Sequence, residues 1–235
     1  MTRERPTTAV ARLLWLIRHR PAHLYGTVRG YALFRLARLR RVLRPLPGVQ
    51  LGKNVRLQRN TSLMAERPAA SIRLGSDCIV YEDSRLEAYG AGSIHVGASG
   101  IMGGARISCR YSVSIGDRFL SSWNVFIQDF DPHPTDRALR AAQVTAMAAR
   151  FVPRFDRALI EDPGPLDWTF PGEAIHMGDD VWLGAGTTIL KGVSLGDGCI
   201  VAAGSVVLRG DYPANSVVAG NPARIVASLS GNESG

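Results

Sequence analysis

From residue 183 onward, apolar positions recur at every sixth residue. Leu183, Ile189, Leu195, Val201 and Val207 head the blocks LGAGTT, ILKGVS, LGDGCI, VAAGSV and VLRGDY, and the fourth position of each block is glycine (Gly186, Gly192, Gly198, Gly204 and Gly210). The fifth position is small or β-branched at Thr187, Val193, Cys199 and Ser205, and Asp211 ends the series. Six residues rotate a helix by about 600°, so i and i+6 leave the common face, whereas an extended chain keeps them together. Glycine at this frequency would also destabilise a helix by about 1 kcal/mol per occurrence relative to alanine. The period predicts short strands joined at glycine-relieved corners and stacked so that equivalent aliphatic side chains form a continuous interior column.

The same spacing extends upstream. Ile107, Val113, Phe119 and Val125 form one run, with Cys109, Ile115, Ser121 and Ile127 two residues behind each; Leu74, Val80 and Leu86 form another, and Leu51, Leu57 and Leu63 a third. Ile72 and Cys78 hold the accompanying small or aliphatic register. The phase slips near residues 64–71 and 87–95, which predicts loops extruded from corners. Cys78 and Cys199 fall in small interior slots, where a free thiol acts as a compact hydrophobe. Cys109 has the same packing reading, with a nucleophilic alternative because Arg110 adjoins it.

One interruption is longer. Between Ile127 and Ile175 the hexads disappear, and the segment reads QDFDPHPTDRALR, then an alanine-rich stretch, then PGPLDWTFPG. A long excursion from a regular scaffold is usually functional or mobile. Residues 138–150, ALRAAQVTAMAAR, predict a short helix, and the Pro and Gly residues of 163–172 return the chain to the repeat.

Composition adds a second kind of segment. The chain has 235 residues, 46% hydrophobic and 20% charged, with a net charge of +8, which suits a globular protein with a sizeable core. The basicity is local: residues 1–50 hold eleven arginines and one acid, Glu4, so the remainder is slightly acidic. Tyr31–Arg44, YALFRLARLRRVLR, spaces its apolar residues as an amphipathic helix that Pro45 stops. It suits a cap on the open first coil and equally a peripheral contact with an anionic membrane surface on the cytoplasmic face. The three cysteines form no CxxC pair, and the apolar run Leu13–Ile17 is too short for a secretory or membrane-spanning segment. These features predict a cytoplasmic protein with three parts: a basic helical segment at 1–48, a repeat domain at 49–226 with an inserted loop at 128–174, and a flexible tail at 227–235.

The string IHMGDDVWLGAGTTILKGVSLGDGCIVAAGSVVLRGDYPANSVVAGNPARIV resembles the hexapeptide-repeat acyltransferases, nearest the galactoside and maltose O-acetyltransferase branch. The resemblance is carried by residues 107–134 and 175–226. It implies an all-β, left-handed parallel β-helix with an N-terminal helical segment and one long loop excursion. It also implies acyl transfer from acetyl-CoA, as donor substrate, to a hydroxyl or amine of a small acceptor, in a homotrimer with sites between subunits and with no metal.

In that branch a His-Pro follows a strand, as His133-Pro134-Thr135-Asp136-Arg137 does here, which makes His133 the candidate catalytic base. A hydroxyl is a poor nucleophile at neutral pH, and imidazole suits the removal of its proton during attack on a thioester. Asp129 and Asp131 share strand parity and are candidates for orienting the imidazole or binding acceptor hydroxyls. For the coenzyme, the resemblance implicates the small residues Ala185 and Ala203, Trp182 as an outward wall, and Arg209 and Arg224 toward the phosphates. The Asn-Pro turn of the family stands at Asn221-Pro222. Ser108, Cys109 and Arg110 occupy the stretch where the sugar-acetylating branch carries an acid and an asparagine, and the insertion at 138–173 resembles that of the xenobiotic acetyltransferases.

The leading expectation is therefore an O-acetyltransferase acting on a sugar or glycan precursor. The alternative is an N-acetyltransferase on an amino sugar, or a xenobiotic acetyltransferase on an antibiotic. A non-catalytic hexapeptide scaffold is disfavoured by the placement of His133. Zinc catalysis of the β-helix carbonic anhydrase kind is disfavoured because the one close histidine pair, His19 and His23, lies in the arginine-rich segment. Nucleic-acid binding has no recognisable reader motif.

Overall fold

The computed structural model describes residues 46–149 and 170–229, together with Ile17, Arg18, Ala22, Tyr25 and Arg29. Contacts divide the chain into Met1–Pro45 and Leu46–Gly235. In the first unit the five described positions are helical. The amphipathic helix expected at Tyr31–Arg44 lies outside the described residues.

In the second unit the chain winds as a parallel solenoid with three sheets. The first sheet contains seven strands, from Val49–Leu51 to Gly210–Tyr212, and the third contains six, from Ser62–Ala65 to Val206–Val207. The second begins at Arg56–Leu57 and ends in an antiparallel pair, Ser216–Gly220 with Ala223–Ser228. That pair covers the last coil's hydrogen-bonding edge, and its turn is Asn221-Pro222.

Strand register explains the six-residue period. In the first sheet Val49, Ile72, Ile94, Val113, Ile175 and Val193 stack in one column. In the second, Leu57, Val80, Met102, Ser121, Leu183, Val201 and Val218 align. The third aligns Leu63, Leu86, Ile107, Ile127, Ile189 and Val207. From the second coil onward the aliphatic members of these columns are almost fully buried. Each such Ile, Leu or Val contributes roughly 1.5–3 kcal/mol relative to exposure. All three cysteines are free and fully buried among these columns.

Corners need a left-handed backbone residue, and glycine supplies it in the later coils, as at Gly204 with φ +71°. Other corners use Asn or Asp for the same purpose, chiefly in the earlier coils: Asn54, Asp77, Asn124 and Asp180 have φ from +57° to +62°. Between the first and second sheets, aspartates tie coil to coil. Asp117, Asp179 and Asp197 accept the backbone N–H of Ala98, Asp117 and Asp179 at 2.6, 2.8 and 2.8 Å.

The outer faces differ in chemistry. Along the first sheet the outward column is Gln50, Arg73, His95, Ser114, His176, Ser194 and Asp211. Along the second it is Ile79, Ile101, Leu120, Trp182, Ile200 and Val217, an apolar stripe.

The phase slips are extrusions at one corner, where the third sheet passes to the first. The two expected slips occupy residues 66–70 and 89–92; a third extrusion, at 110–111, breaks the run read as continuous from Ile107 to Val125, because Ile107 and Ile115, not Ile107 and Val113, hold equivalent positions in successive sheets. The long excursion leaves from the same corner, between Phe126–Gln128 and Ile175–Met177.

Candidate active site at the extruded corner

The excursion is pinned where it departs and returns. Phe130 bridges Gly172; Asp131 N–H donates to the Pro171 carbonyl and Glu173 N–H to that of Asp129, both at 2.8 Å. Gly172 is required here by close approach, because a Cβ would collide with the Tyr111 ring and the Asp129 carbonyl. Phe130 and Phe170 are buried and meet edge-on at 5.9 Å. The Arg110 guanidinium stacks 3.8 Å from the Phe170 ring centre, with Tyr89 and Phe130 at 5.2 and 5.3 Å, a cation–π arrangement in a partly desolvated setting.

Beyond this clamp stands His133, exposed at its surface, followed by the buried Pro134. Asp136 then caps a helix, α1 (Arg137–Ala149): its carboxylate accepts Leu139 N–H at 2.8 Å. The helix starts one residue before the expected 138. It turns back on the His-Pro turn, where Arg140 donates to the carbonyls of Pro134 and Thr135 at 2.9 and 2.8 Å. Gln143 Oε1 lies 2.9 Å from His133 Nδ1, and Gln143 Nε2 donates to the Pro132 carbonyl at 3.2 Å. Residues 150–169 of the excursion lie outside the described residues.

The two aspartates that shared parity on paper are separated in space. Asp129 follows the last residue of its strand in the interior register of Ala65, Ala88 and Cys109 and is fully buried. Its carboxylate accepts Arg110 N–H at 2.8 Å, Tyr111 N–H at 2.9 Å and the Cys109 thiol at 3.1 Å. The chain has turned by Asp131, which reaches a half-exposed position and pairs with Lys191. Neither carboxylate is the ring partner of His133 at Nδ1; Gln143 is.

The nucleophilic alternative for Cys109 is overturned. Burial first, and then the Asp129 carboxylate, push its thiol far above the ordinary range.

The remaining candidates fall into two groups. Arg209 shares the His133 corner, exposed and paired with Glu173 at 2.6 Å. Ala185 and Ala203 sit instead at the corner from the second sheet to the third, both exposed. They stack above Trp123: Gly186 N–H donates to the Trp123 carbonyl and Gly204 N–H to that of Ala185, both at 2.8 Å. A Cβ on Gly204 would meet nothing within 4 Å, so this corner borders open space. Trp182 and Trp123 are half exposed, and Trp123 meets Tyr81 edge-on at 5.5 Å. Arg224 lies exposed on the last strand, with one guanidinium nitrogen 2.7 Å from the Ala223 carbonyl. The third-sheet strand Thr188–Leu190 separates this corner, an open ledge at Ala185 and Ala203, from the His133 corner.

Four residues at these places were missed by sequence reasoning: Gln143, Lys191, Glu173 and Trp123. For Lys191 a signal existed, since the hexad register sets Leu190 beside Gln128 and so brings Lys191 to the excursion's departure. For Gln143 the one hint was an uncharged polar residue at the centre of an alanine-rich helix.

Comparison with known proteins agrees with the repeat. Residues 174–209 match the family model of the bacterial transferase hexapeptide (six repeats). A probable acetyltransferase of Mycobacterium tuberculosis is 26% identical over 220 residues, covering 92% of this chain and 62% of that protein. A putative lipopolysaccharide biosynthesis O-acetyl transferase of Escherichia coli K12 is 47% identical over 58 residues, covering 25% of this chain and 29% of that protein. The chain thus spans less than two thirds of the length of either relative. Among solved structures, a mutant of AntD, an N-acyltransferase from Bacillus cereus in complex with dTDP and coenzyme A, superposes with a TM-score of 0.56 at 14% identity. It covers 80% of this chain and 87% of that one, a likeness of fold. The coils of residues 174–209 are thus similar to the bacterial transferase hexapeptide family, and the solenoid they complete is a parallel β-helix of three sheets.

Proposed function

We propose that the protein is an acetyl-CoA-dependent O-acetyltransferase acting on a hydroxyl of a sugar or glycan precursor, with His133 as general base. The observation that carries this reading is the placement of His133. It is an exposed imidazole near the start of the solenoid's long excursion, held at Nδ1 by a buried amide. The bound thioester supplies an activated acyl carbon. His133 takes the acceptor's proton as its oxygen attacks, the step that makes a neutral hydroxyl competent, and returns it to the coenzyme A sulfur as the carbon–sulfur bond breaks and the free thiol leaves. Asp131, paired with Lys191 and open to solvent, is the carboxylate available to acceptor hydroxyls.

The ledge at Ala185 and Ala203 fits the pantetheine arm, since open space adjoins it and Trp182 and Trp123 flank it. Backbone amides not screened by large side chains suit an amide-containing chain. Arg209 and Arg224 are the cations assigned to the coenzyme's phosphates, with Glu173 competing for Arg209.

Because the ledge and the His133 corner flank the third sheet, a complete site is best formed by two subunits of a homotrimer. The apolar stripe of Leu120, Trp182 and Ile200 supplies a surface for that association. Among the described residues no helix is long and apolar enough to cross a membrane. A cytoplasmic location, with residues 1–45 touching an anionic membrane surface, belongs to the same reading.

The test is thiol release from acetyl-CoA against sugars, nucleotide sugars and aminoglycosides, comparing wild type with His133→Ala. Release that depends on a hydroxyl acceptor and falls by 10²–10⁴ in the variant supports O-transfer with a histidine base. Release only with amine acceptors replaces O-transfer by N-transfer, and full activity in the variant removes His133 from the chemistry.

A further inference from the structure

We infer that Gln143 of α1 is a positioning residue that selects the tautomer of His133, making Nδ1 the donor and leaving Nε2 as the basic nitrogen. The inference rests on the reading of His133 as general base, which it deepens.

Burial singles the residue out. Gln143 is 2% exposed, whereas no other residue from Arg137 to Ala148 is buried. Leu139 and Val144 on the same helix lie open to solvent. An amide is therefore the buried group of a helix whose apolar side chains are not, and what it meets is the His-Pro turn.

The hydrogen bonds then fix a proton. A glutamine amide has one accepting and one donating end. Its nitrogen faces the Pro132 carbonyl, which can only accept. Reversing the amide would set two oxygens against each other, so Oε1 is held toward His133. Oε1 carries no proton, so the ring nitrogen opposite it must donate. Nδ1 holds the hydrogen in the neutral ring, and the lone pair is at Nε2.

Arg140, one turn earlier on the helix, grips the carbonyls of Pro134 and Thr135. Gln143 and Arg140 together bracket the histidine's backbone from both sides. The excursion thus supplies a fixed ring orientation. A carboxylate in this place would select the same tautomer and also stabilise the imidazolium, whereas an amide does only the first.

The experiment uses full-length protein labelled with 15N-histidine, in which the ring nitrogens of His133 are assigned by their loss in His133→Ala. Long-range proton–nitrogen spectra should show a protonated Nδ1 and an unprotonated Nε2 in the wild type. Gln143→Ala should give a tautomer mixture. Gln143→Glu should keep the wild-type tautomer and raise the titration midpoint of His133 by about one pH unit relative to wild type. In the thiol-release assay Gln143→Ala should lower kcat about tenfold, a part of what a general base supplies, with unchanged affinity for coenzyme A.

A protonated Nε2 in the wild type, or an unaltered tautomer in Gln143→Ala, overturns the proposal while leaving the histidine base standing. Full thiol release by His133→Ala overturns the base itself, and the spectra distinguish that failure from the first. The wild-type tautomer keeps the test decisive should either substitution undock α1, since Gln143→Ala removes the donor to the Pro132 carbonyl and Gln143→Glu replaces it with an oxygen.

Discussion

Replacing Asp129 by alanine separates a structural carboxylate from a substrate-binding one. The side chain is fully buried and accepts two backbone N–H groups, at 2.8 and 2.9 Å, and the Cys109 thiol. Hydrogen bonds to an ionised acceptor are worth about 1.5–3 kcal/mol each, and a buried donor left unpaired costs about 1–3 kcal/mol. Two orphaned amides at Arg110 and Tyr111 therefore put the loss at about 3–5 kcal/mol. For a domain of this size 1 kcal/mol corresponds to about 2–4 °C in Tm, so Tm should fall by roughly 10 °C. Asp129→Asn keeps one carbonyl oxygen and should lose about half as much. Calorimetric melts at one protein concentration, beside coenzyme A titration at 20 °C, give the answer. A melt within about 2 °C of wild type together with lost acyl transfer would refute the reasoning and make Asp129 a group that acts on substrate.

Other outcomes follow from the same geometry. Lys191→Met should leave Tm nearly unchanged, because a half-exposed pair contributes about 0–1 kcal/mol, but should change KM for the acceptor with that for acetyl-CoA unaffected. Arg209→Ala should weaken coenzyme A binding several-fold and flatten its salt dependence, and Glu173→Gln should strengthen binding by freeing the guanidinium. Gly204→Ala, at φ +71°, should cost about 1–2 kcal/mol in backbone strain and weaken coenzyme A binding by placing a methyl group on the ledge. A thiol reagent at pH 8 should label none of the three cysteines in the folded protein and all of them after denaturation, since burial raises each thiol above its ordinary value. With folded values above unfolded ones, these thiols favour the native state below about pH 9 and progressively lose that contribution as pH rises beyond it.

The solenoid was legible because its core repeats. Leu183, Ile189, Leu195 and Val201 are spaced by the corner-to-corner length of a strand, and the glycine between them marks each turn. Upstream, Asn54, Asp77 and Asn124 hold the same backbone conformation, so the glycine mark vanishes although the corner remains. His133 stood out as a candidate through its Pro134 neighbour and its place after a strand. Strand parity misled for Asp129 and Asp131 because the strand ends at Gln128: one carboxylate stays in the interior register, and the other lies beyond the turn. Gln143 reaches His133 only because Asp136 starts a helix and Arg140 anchors it, a fold-back that no hexad spacing encodes.

Calorimetric titration of coenzyme A into wild type and His133→Ala tests the central claim without knowledge of the acceptor. The account predicts saturable binding in both, with Kd values within about twofold, because His133 moves a proton while the ledge and the arginines hold the coenzyme. Absence of binding to the wild-type protein would contradict the acyltransferase account, and binding lost only in the variant would make His133 a coenzyme-holding group instead of the base.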